Sequence, residues 1–390
     1  MKLNVGVIFG GVSCEHEISC LTANQAINAL DSSKYNIIPI YISKDSDFYS
    51  GDALFDLANY SDLGKLCESL DKVSFYKDGN ATYIKPINNV FKKAKRIDVA
   101  FLSMHGTNGE DGAIQGMMEM MKIPYTSSDV LGSAIGQDKA IMKQIFKSED
   151  IPMVDFFYFY CHDFDNNKTE IKKKAKEIGY PLICKPANLG SSVGIEIIHD
   201  EKEFEEKVRE AMKYDFKLVI ESMITNLKEV NISVMGSIFE AKCSVIEEVV
   251  KNDELLSYKD KYLGGSKSSK TKMPVKGSKG MASTSRIIPA NITKAQQSLI
   301  EKLALKVFKV LNASGCVRID FMIDEDSDEV YVNEINSIPG SLAFYLWKEL
   351  DIDFASECDQ LISDALLRFS RKEKKTYSFE TNILKNYRRK

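Results

Sequence analysis

The chain opens with a short, mostly apolar run, Leu3–Phe9, closed by Gly10-Gly11, a pattern that predicts a buried strand. Ile18–Leu30 follows with apolar residues at helical spacing. Tyr35–Ile42 predicts a second strand and Asp98–Ser103 a third, which runs into the loop His105–Gly112 before a helix over Gly116–Met121. Strand, helix and strand in this order predict a parallel sheet, with sites gathered at the carboxyl ends of its strands. Gly10-Gly11 and the His105 loop sit at two such ends.

A boundary is expected near Gly132–Lys139. Beyond it the pattern predicts a helix over Lys139–Asp150, a strand around Phe156–Tyr160 and a Lys/Glu-rich helix over Thr169–Ile178. The strand Pro181–Lys185, a Gly/Ser turn at 188–192 and the strand Gly194–Ile198 come next, then a helix over Asp200–Tyr214 and the strand Lys217–Glu221. The last third begins with the β-branched stretches Glu229–Met235 and Cys243–Val250. Tyr258–Arg286 breaks every period and reads as an ordered functional loop or a lid. Thr293-x-x-Gln296 resembles a capping box ahead of a helix to Leu311. Val317–Ile323 and Val330–Ile335 predict a hairpin around the acidic turn Asp324–Glu329.

Composition narrows the function. With Lys+Arg 52 and Asp+Glu 56 in 390 residues, the net charge is −4, which argues against a general nucleic-acid binder. A hydrophobic fraction of 44% and a charged fraction of 28% fit a folded chain of two to three domains at about 150 residues each. No apolar run nears the roughly 18 residues needed to span a bilayer. The eight cysteines are scattered without a Cys-x-x-Cys, so free thiols in a reducing cytoplasm are expected, with a thiolate metal site disfavoured.

The chemistry concentrates in Arg318-Ile-Asp320 and Glu334-Ile-Asn336. Residues two apart on a strand share a face, so pairing of these strands would bring three oxygen donors and a guanidinium together. Such oxygens suit Mg²⁺, and the guanidinium suits a phosphoryl group or an oxyanion; a surface ion-pair ladder is the plainer alternative. Lys185 before Asn188-Leu189-Gly190-Ser191-Ser192 could cradle phosphates, although such turns mostly only turn. No Walker motif occurs. Glu15 reads either as a first-turn helix acid or as a ligand for a substrate amine, and His105 as a structural hydrogen-bonding histidine.

Taken together, Gly10-Gly11-Val-Ser-Cys-Glu15, His105-Gly-x-x-Gly-Glu110-Asp-Gly112, Asp138-Lys139, Lys185-Pro186, Gly190-Ser191-Ser192, Tyr258-x-x-Lys261-Tyr262, Arg318-x-Asp320 and Glu334-x-Asn336-x-x-Pro339-Gly340 resemble the D-alanine–D-alanine ligase family. The resemblance implies an α/β ATP-grasp fold of three domains. Residues 1–135 would form an N-terminal Rossmann-like domain with a parallel sheet. Residues 136–225 and 226–375 would form the two grasp subdomains, with a closing loop at 251–286 and a basic tail at 376–390. Lys139, Lys185, Ser191 and Ser192 would hold ATP phosphates, Glu221 to Ile224 the adenine and Glu229 the ribose. Asp320, Glu334 and Asn336 would ligate two Mg²⁺, with Mn²⁺ a substitute. Glu15 and Ser191 would orient the first amino acid, Arg318 and the Gly340 N–H the oxyanion, and Lys261 and Tyr262 would close over the site.

The implied activity is ATP-dependent joining of two D-amino acids through an acyl phosphate, D-alanyl-D-alanine for peptidoglycan above all, by a cytoplasmic homodimer without membrane or nucleic-acid partners. A ligase using D-serine, D-lactate or another amine is the alternative, followed by a nucleotide-binding regulator. Two departures bear on the choice. The family usually follows Pro-Gly with a Met-Thr-Ser-His-Ser-like run whose last Ser binds the second carboxylate; here the run is Ser341-Leu342-Ala343-Phe344-Tyr345, so Tyr345 or Ser341 would donate instead, or the second substrate differs. The loop after Tyr262 is also long and lysine-rich, either a solvated loop or a cationic lid.

Overall fold

The computed structural model describes residues 2–89, 91–250 and 285–378. The expected βαβ opening is β1 (Leu3–Gly10), α1 (His16–Ala29) and β2 (Tyr35–Ile42). The segment that periodicity left unassigned adds β3 (Phe48–Ser50), α2 (Leu63–Ser69), β4 (Asp71–Asp78), β5 (Ala81–Pro86) and β6 (Lys95–Ile97), ahead of β7 (Val99–Leu102) and α3 (Ala113–Met121). The seven-stranded order is β6-β5-β4-β3-β2-β1-β7. The strands expected to pair in parallel do so as β2-β1-β7, and β3 to β6, which the sequence reading left unassigned, extend the sheet antiparallel. The parallel strands are buried on both faces and read as apolar runs, whereas β4 and β5 alternate and lie at the solvated side.

Helices α4 (Val130–Gln137) and α5 (Lys139–Ser148) lead into a four-stranded antiparallel sheet. It is built from β8 (Phe156–Tyr160), α6 (Phe164–Ile178), β9 (Leu182–Pro186), β10 (Glu196–Ile198), α7 (Phe204–Ala211) and β11 (Lys217–Ser222), in the order β10-β9-β11-β8. The third sheet, order β14-β13-β12-β15-β16, uses β12 (Leu227–Ser237), β13 (Glu240–Val250), β14 (Ser285–Ile287), β15 (Gly315–Asp324) and β16 (Val330–Asn336). Helix α8 (Lys294–Val310) covers it, and α9 (Phe344–Lys348) and α10 (Phe354–Glu373) follow as the last helices of the described residues.

Alternation along the third sheet divides its two faces. Val230, Ile232, Val234, Val317, Ile319 and Phe321 point to α8, whose Ile300, Leu303, Ala304, Val307 and Phe308 supply a stripe at 3, 4, 7 and 8-residue spacing. The predicted capping box at Thr293 and Gln296 starts that helix. The opposite face carries Asn231, Arg318, Asp320 and Glu334, which line a cleft between this sheet and the four-stranded one. Helix α10 was not anticipated; its Leu361, Ile362 and Ala365 join the core of the first sheet, tying the chain's end to its beginning. Among the described residues no helix is long and apolar enough to cross a membrane. Phe308→Ala, at the C-terminal end of the α8 stripe, is expected to cost roughly 3–5 kcal/mol. Urea or thermal unfolding reads this, and a change within noise would remove α8 from the supports of the cleft.

Candidate active site

The cleft holds a cavity of about 520 Å³ whose walls come from the second and third sheets and from the start of α1 and the His105 loop beside the first sheet. Its floor is set by strand register. Glu247 on β13 lies opposite Asn231 on β12, Asn231 opposite Asp320 on β15, and Asp320 opposite Glu334 on β16, giving one row across four strands. The pairing of β15 with β16 is irregular after Asp320, where Phe321 faces Val332. That bulge lets Asn333 and Glu334, adjacent in sequence, both line the cavity. The predicted hairpin and the convergence of Arg318, Asp320, Glu334 and Asn336 are therefore present.

Within this patch Arg318 grips Asp320 bidentately, at 2.7 and 2.8 Å, and the Asn336 amide donates to Asp320 at 3.2 Å. No three His, Cys, Asp or Glu side chains cluster as a metal site among the described residues. The donor set is instead two carboxylates and a side-chain amide on adjoining strands, a hard-oxygen chemistry that fits Mg²⁺ completed by water and phosphate oxygens.

Facing the floor, α5 begins at Asp138, whose carboxylate caps the Ala140 and Ile141 N–H groups and pairs with Lys217. Lys139 reaches the Leu189 carbonyl at 2.7 Å and Glu334 at 3.5 Å. Lys185, near the end of β9, contacts Glu221 at 2.8 Å and Asn333 at 3.3 Å. Sequence reasoning missed Lys143, which lies one turn after Lys139 on the same helical face and is fully buried 3.3 Å from Glu221. Burial presses the Lys143 ammonium down against the pull of Glu221, so its pKa falls. Burial also opposes charge on Lys185, but Glu221 and Glu334 outweigh it and its pKa rises. Glu221 itself sits low because its two lysines overcome its burial. Its carboxylate is thus committed to organising cations, while Ile224 and Glu229 line the cavity next to Ile183, Met223 and Met322, an apolar slot suited to a flat ring.

At the far end, the Ser191 hydroxyl donates to Glu15. The two approach because glycines leave room: a Cβ on Gly106 would lie 2.8 Å from Glu15 Oε2, and Gly106 has φ +66°. Ser191 and Ser192 are themselves left-handed, at φ +54° and +60°. Gly340 lines the cleft ahead of Ser341, Leu342 and Ala343, three successive left-handed residues, a strain of roughly 1 kcal/mol or more each. The Ser341 N–H donates to Thr22 at 3.0 Å. Two further buried groups fasten this turn to the first sheet. His105 bridges the Ile338 carbonyl (2.7 Å) and Thr22 (2.8 Å), the structural role expected of it. Glu110 accepts from the N–H groups of Gly106 and Ile338, both at 2.8 Å. Lys261 and Tyr262, with the rest of 251–284, and the basic tail beyond 378 lie outside the described residues.

The family models described as D-ala D-ala ligase N-terminus and C-terminus match residues 4–128 and 145–366. A D-alanine–D-alanine ligase of Thermosipho melanesiensis is 40% identical over 386 residues, covering 98% of each chain. One of Bacillus cytotoxicus is 34% identical, covering 97% of this chain and 99% of that one. Among solved structures, the D-alanine-D-alanine ligase from Coxiella burnetii aligns with a TM-score of 0.78 at 26% identity, covering 96% of each chain. The VanG D-Ala:D-Ser ligase of Enterococcus faecalis, at 24% identity and a TM-score of 0.76 over 94% of this chain and 100% of that one, shares the fold.

Two outcomes test the electrostatics. Glu221→Gln leaves two buried ammonium groups without their counter-charge and should destabilise the chain by roughly 3–5 kcal/mol. Adding Lys143→Met should restore part of it; a double variant no better than the single one would refute the shared-carboxylate reading. Burial, and then the charge of Glu15, push Glu110 up to about 7. A carboxyl raised in the folded state favours folding at low pH and loses that contribution as pH rises from the unfolded value to the folded one. Thermal stability should therefore fall between about pH 4.5 and pH 7, and Glu110→Gln should flatten that slope.

Proposed function

The chain belongs to the D-alanine–D-alanine ligase family, and we propose that it joins two D-alanine molecules at the expense of ATP, for peptidoglycan synthesis. It is an ATP-dependent carboxylate–amine ligase of the ATP-grasp fold. The observation that carries the reading is the meeting, around one cavity, of Lys139 and Lys185, the row Asp320–Glu334, and the Glu15–Ser191 pair.

In this reading Lys139 and Lys185 hold phosphate oxygens, with the Ser191–Ser192 turn beside them, and Ile224 and Glu229 hold the nucleoside. Lys261 and Tyr262, on the segment between β13 and β14, belong to the same proposal as residues that close the site. Glu15, oriented by Ser191, takes the ammonium of the first amino acid and so directs its carboxylate to Arg318. The carboxylate is a poor electrophile until phosphorylated; Arg318 and the Gly340 N–H then neutralise the oxyanion formed when the second amine attacks. Asp320, Glu334 and Asn336 would hold Mg²⁺, which supplies charge neutralisation on the transferring phosphate. His105 and Glu110, both bonded to the backbone of Ile338, hold the turn that presents Gly340. A homodimer, as the family resemblance implies, is part of the proposal.

Purified chain with ATP, Mg²⁺ and D-alanine should release phosphate and yield the dipeptide mass. Asp320→Ala and Glu334→Ala should each lower kcat by roughly a thousandfold or more while the melting curve stays cooperative. Full turnover in both would refute the metal assignment. Phosphate release only with a mixed amino-acid pair would move the second substrate away from D-alanine.

A further inference from the structure

The left-handed turn after Gly340 is held by side chains from the first sheet's side of the cleft, and one of them has no part in the ligase reading. Thr22, on α1, is 1% exposed and lies behind His105 and Gly340, which line the cavity. Its hydroxyl accepts from the Ser341 N–H at 3.0 Å and lies 2.8 Å from His105 Nε2. On the other side of the ring, His105 Nδ1 lies 2.7 Å from the Ile338 carbonyl.

The last group in this chain fixes the direction of every hydrogen in it. A carbonyl only accepts, so Nδ1 carries a proton. Burial disfavours charge on His105, so the ring is neutral and Nε2 accepts. The Thr22 O–H is therefore the donor to Nε2, and its oxygen stays open to the Ser341 N–H. A valine of the same shape would serve neither.

The chain pins two peptide planes: Ile338–Pro339 through its carbonyl and Gly340–Ser341 through its N–H. Between them lies the Pro339–Gly340 plane, whose N–H is the oxyanion donor of the ligase reading and whose carbonyl accepts from the Leu342 N–H at 2.8 Å. The proline ring fixes φ at 339, so with both neighbours held this plane has little room to turn. The same helix also carries the ammonium ligand. Glu15 caps α1, and Ser19 and Thr22 follow it at helical spacing on one face. Ser19 accepts from the Gly10 N–H at 2.7 Å and donates to the Ser103 carbonyl at 2.8 Å, which seats that face on the first sheet.

We propose that Thr22 is a positioning residue for amide formation: through Ser341 and His105 it aims the Gly340 N–H at the oxyanion and fixes that donor's distance from Glu15. The proposal rests on the ligase reading. When the second amine adds to the acyl carbon, the C=O electron pair moves onto oxygen; its return expels phosphate, which takes up the amine proton. Thr22 touches no substrate, and its loss bears on this addition and not on nucleotide binding.

The test compares Thr22→Val, which keeps the shape and drops the hydroxyl, with Thr22→Ser, which keeps the hydroxyl, in the full chain with ATP, Mg²⁺ and D-alanine. Thr22→Val should lower kcat for the dipeptide roughly 10- to 100-fold, while the KM values for ATP and the first D-alanine move by less than about threefold. Thr22→Ser should restore most of the turnover. Scrambling of oxygen-18 out of the β–γ bridge of ATP reads reversible acyl-phosphate formation, and it should rise relative to dipeptide formation in Thr22→Val. In the wild-type chain, which has four histidines, ¹⁵N NMR should find the His105 ring neutral with its proton on Nδ1. That measurement stands even where Thr22→Val fails to fold. A kcat for Thr22→Val within about threefold of wild type, an equal loss in Thr22→Ser, an unchanged ratio of exchange to turnover, or a proton on Nε2 would each overturn the proposal and leave the ligase reading standing. A wild-type chain that forms no dipeptide with any amino acid tried would sink both.

Discussion

The register of β15 against β16 places Asp320 opposite Glu334 and Arg318 opposite Asn336, and the bulge beside them turns Asn333 to the same side. A slip of one residue would send each of these groups into the apolar face under α8 and bring valine and isoleucine into the cleft. That face is held by Ile319, Phe321, Val332 and the helix stripe, so the hydrophobic core fixes the register and the register fixes the chemistry. The hydrogen-bonded ladder gives the acids their spacing; burial on the other face keeps the ladder from sliding.

Charge sets the second requirement. Lys139, Lys185, Arg286 and Arg318 line the cleft and Lys143 is buried against Glu221 beside it, a concentration that would be unstable without matched acids. Each cation meets one: Glu334 beside Lys139, Glu221 between Lys143 and Lys185, Glu247 beside Arg286 and Asp320 on Arg318. The site is thereby near neutrality before an anionic nucleotide arrives, while cationic donors still line its wall. Among the described residues, left-handed non-glycine residues follow one another in two turns, Ser191–Ser192 and Ser341–Ala343, both beside the cleft. Hydrogen bonds to Glu15 and Thr22 hold them.

Much of this was legible in the chain. Local patterns found the strands that carry the site, the capping box of α8, and the hairpin that joins Arg318 to Asn336, because apolar period and turn chemistry are properties of neighbours in sequence. Motif spacing named Glu15, Lys139, Lys185, Asp320 and Glu334, and the cavity gathers them. Of the antiparallel strands, β3 and β6 escaped notice because three residues are too few to show a period, and β4 and β5 because their many exposed positions break up the apolar run. Lys143 and Glu247 escaped because a charged residue reads as surface until its burial is known; only the i, i+4 relation to Lys139 hinted at the former.

The sequence by itself determined the α/β class and the order of the parts, which depend on residue type and local period, and its motifs carried the family resemblance. Only the tertiary structure decided which acid faces which base. Glu221 is 36 residues from Lys185, and Glu247 is 98 from Tyr345. Their pairing follows from sheet order and register, which bring distant strands within hydrogen-bond reach and bury the pairs where a missing partner would be costly. The same geometry sets the Tyr345 hydroxyl on Glu247 and its ring against Arg286.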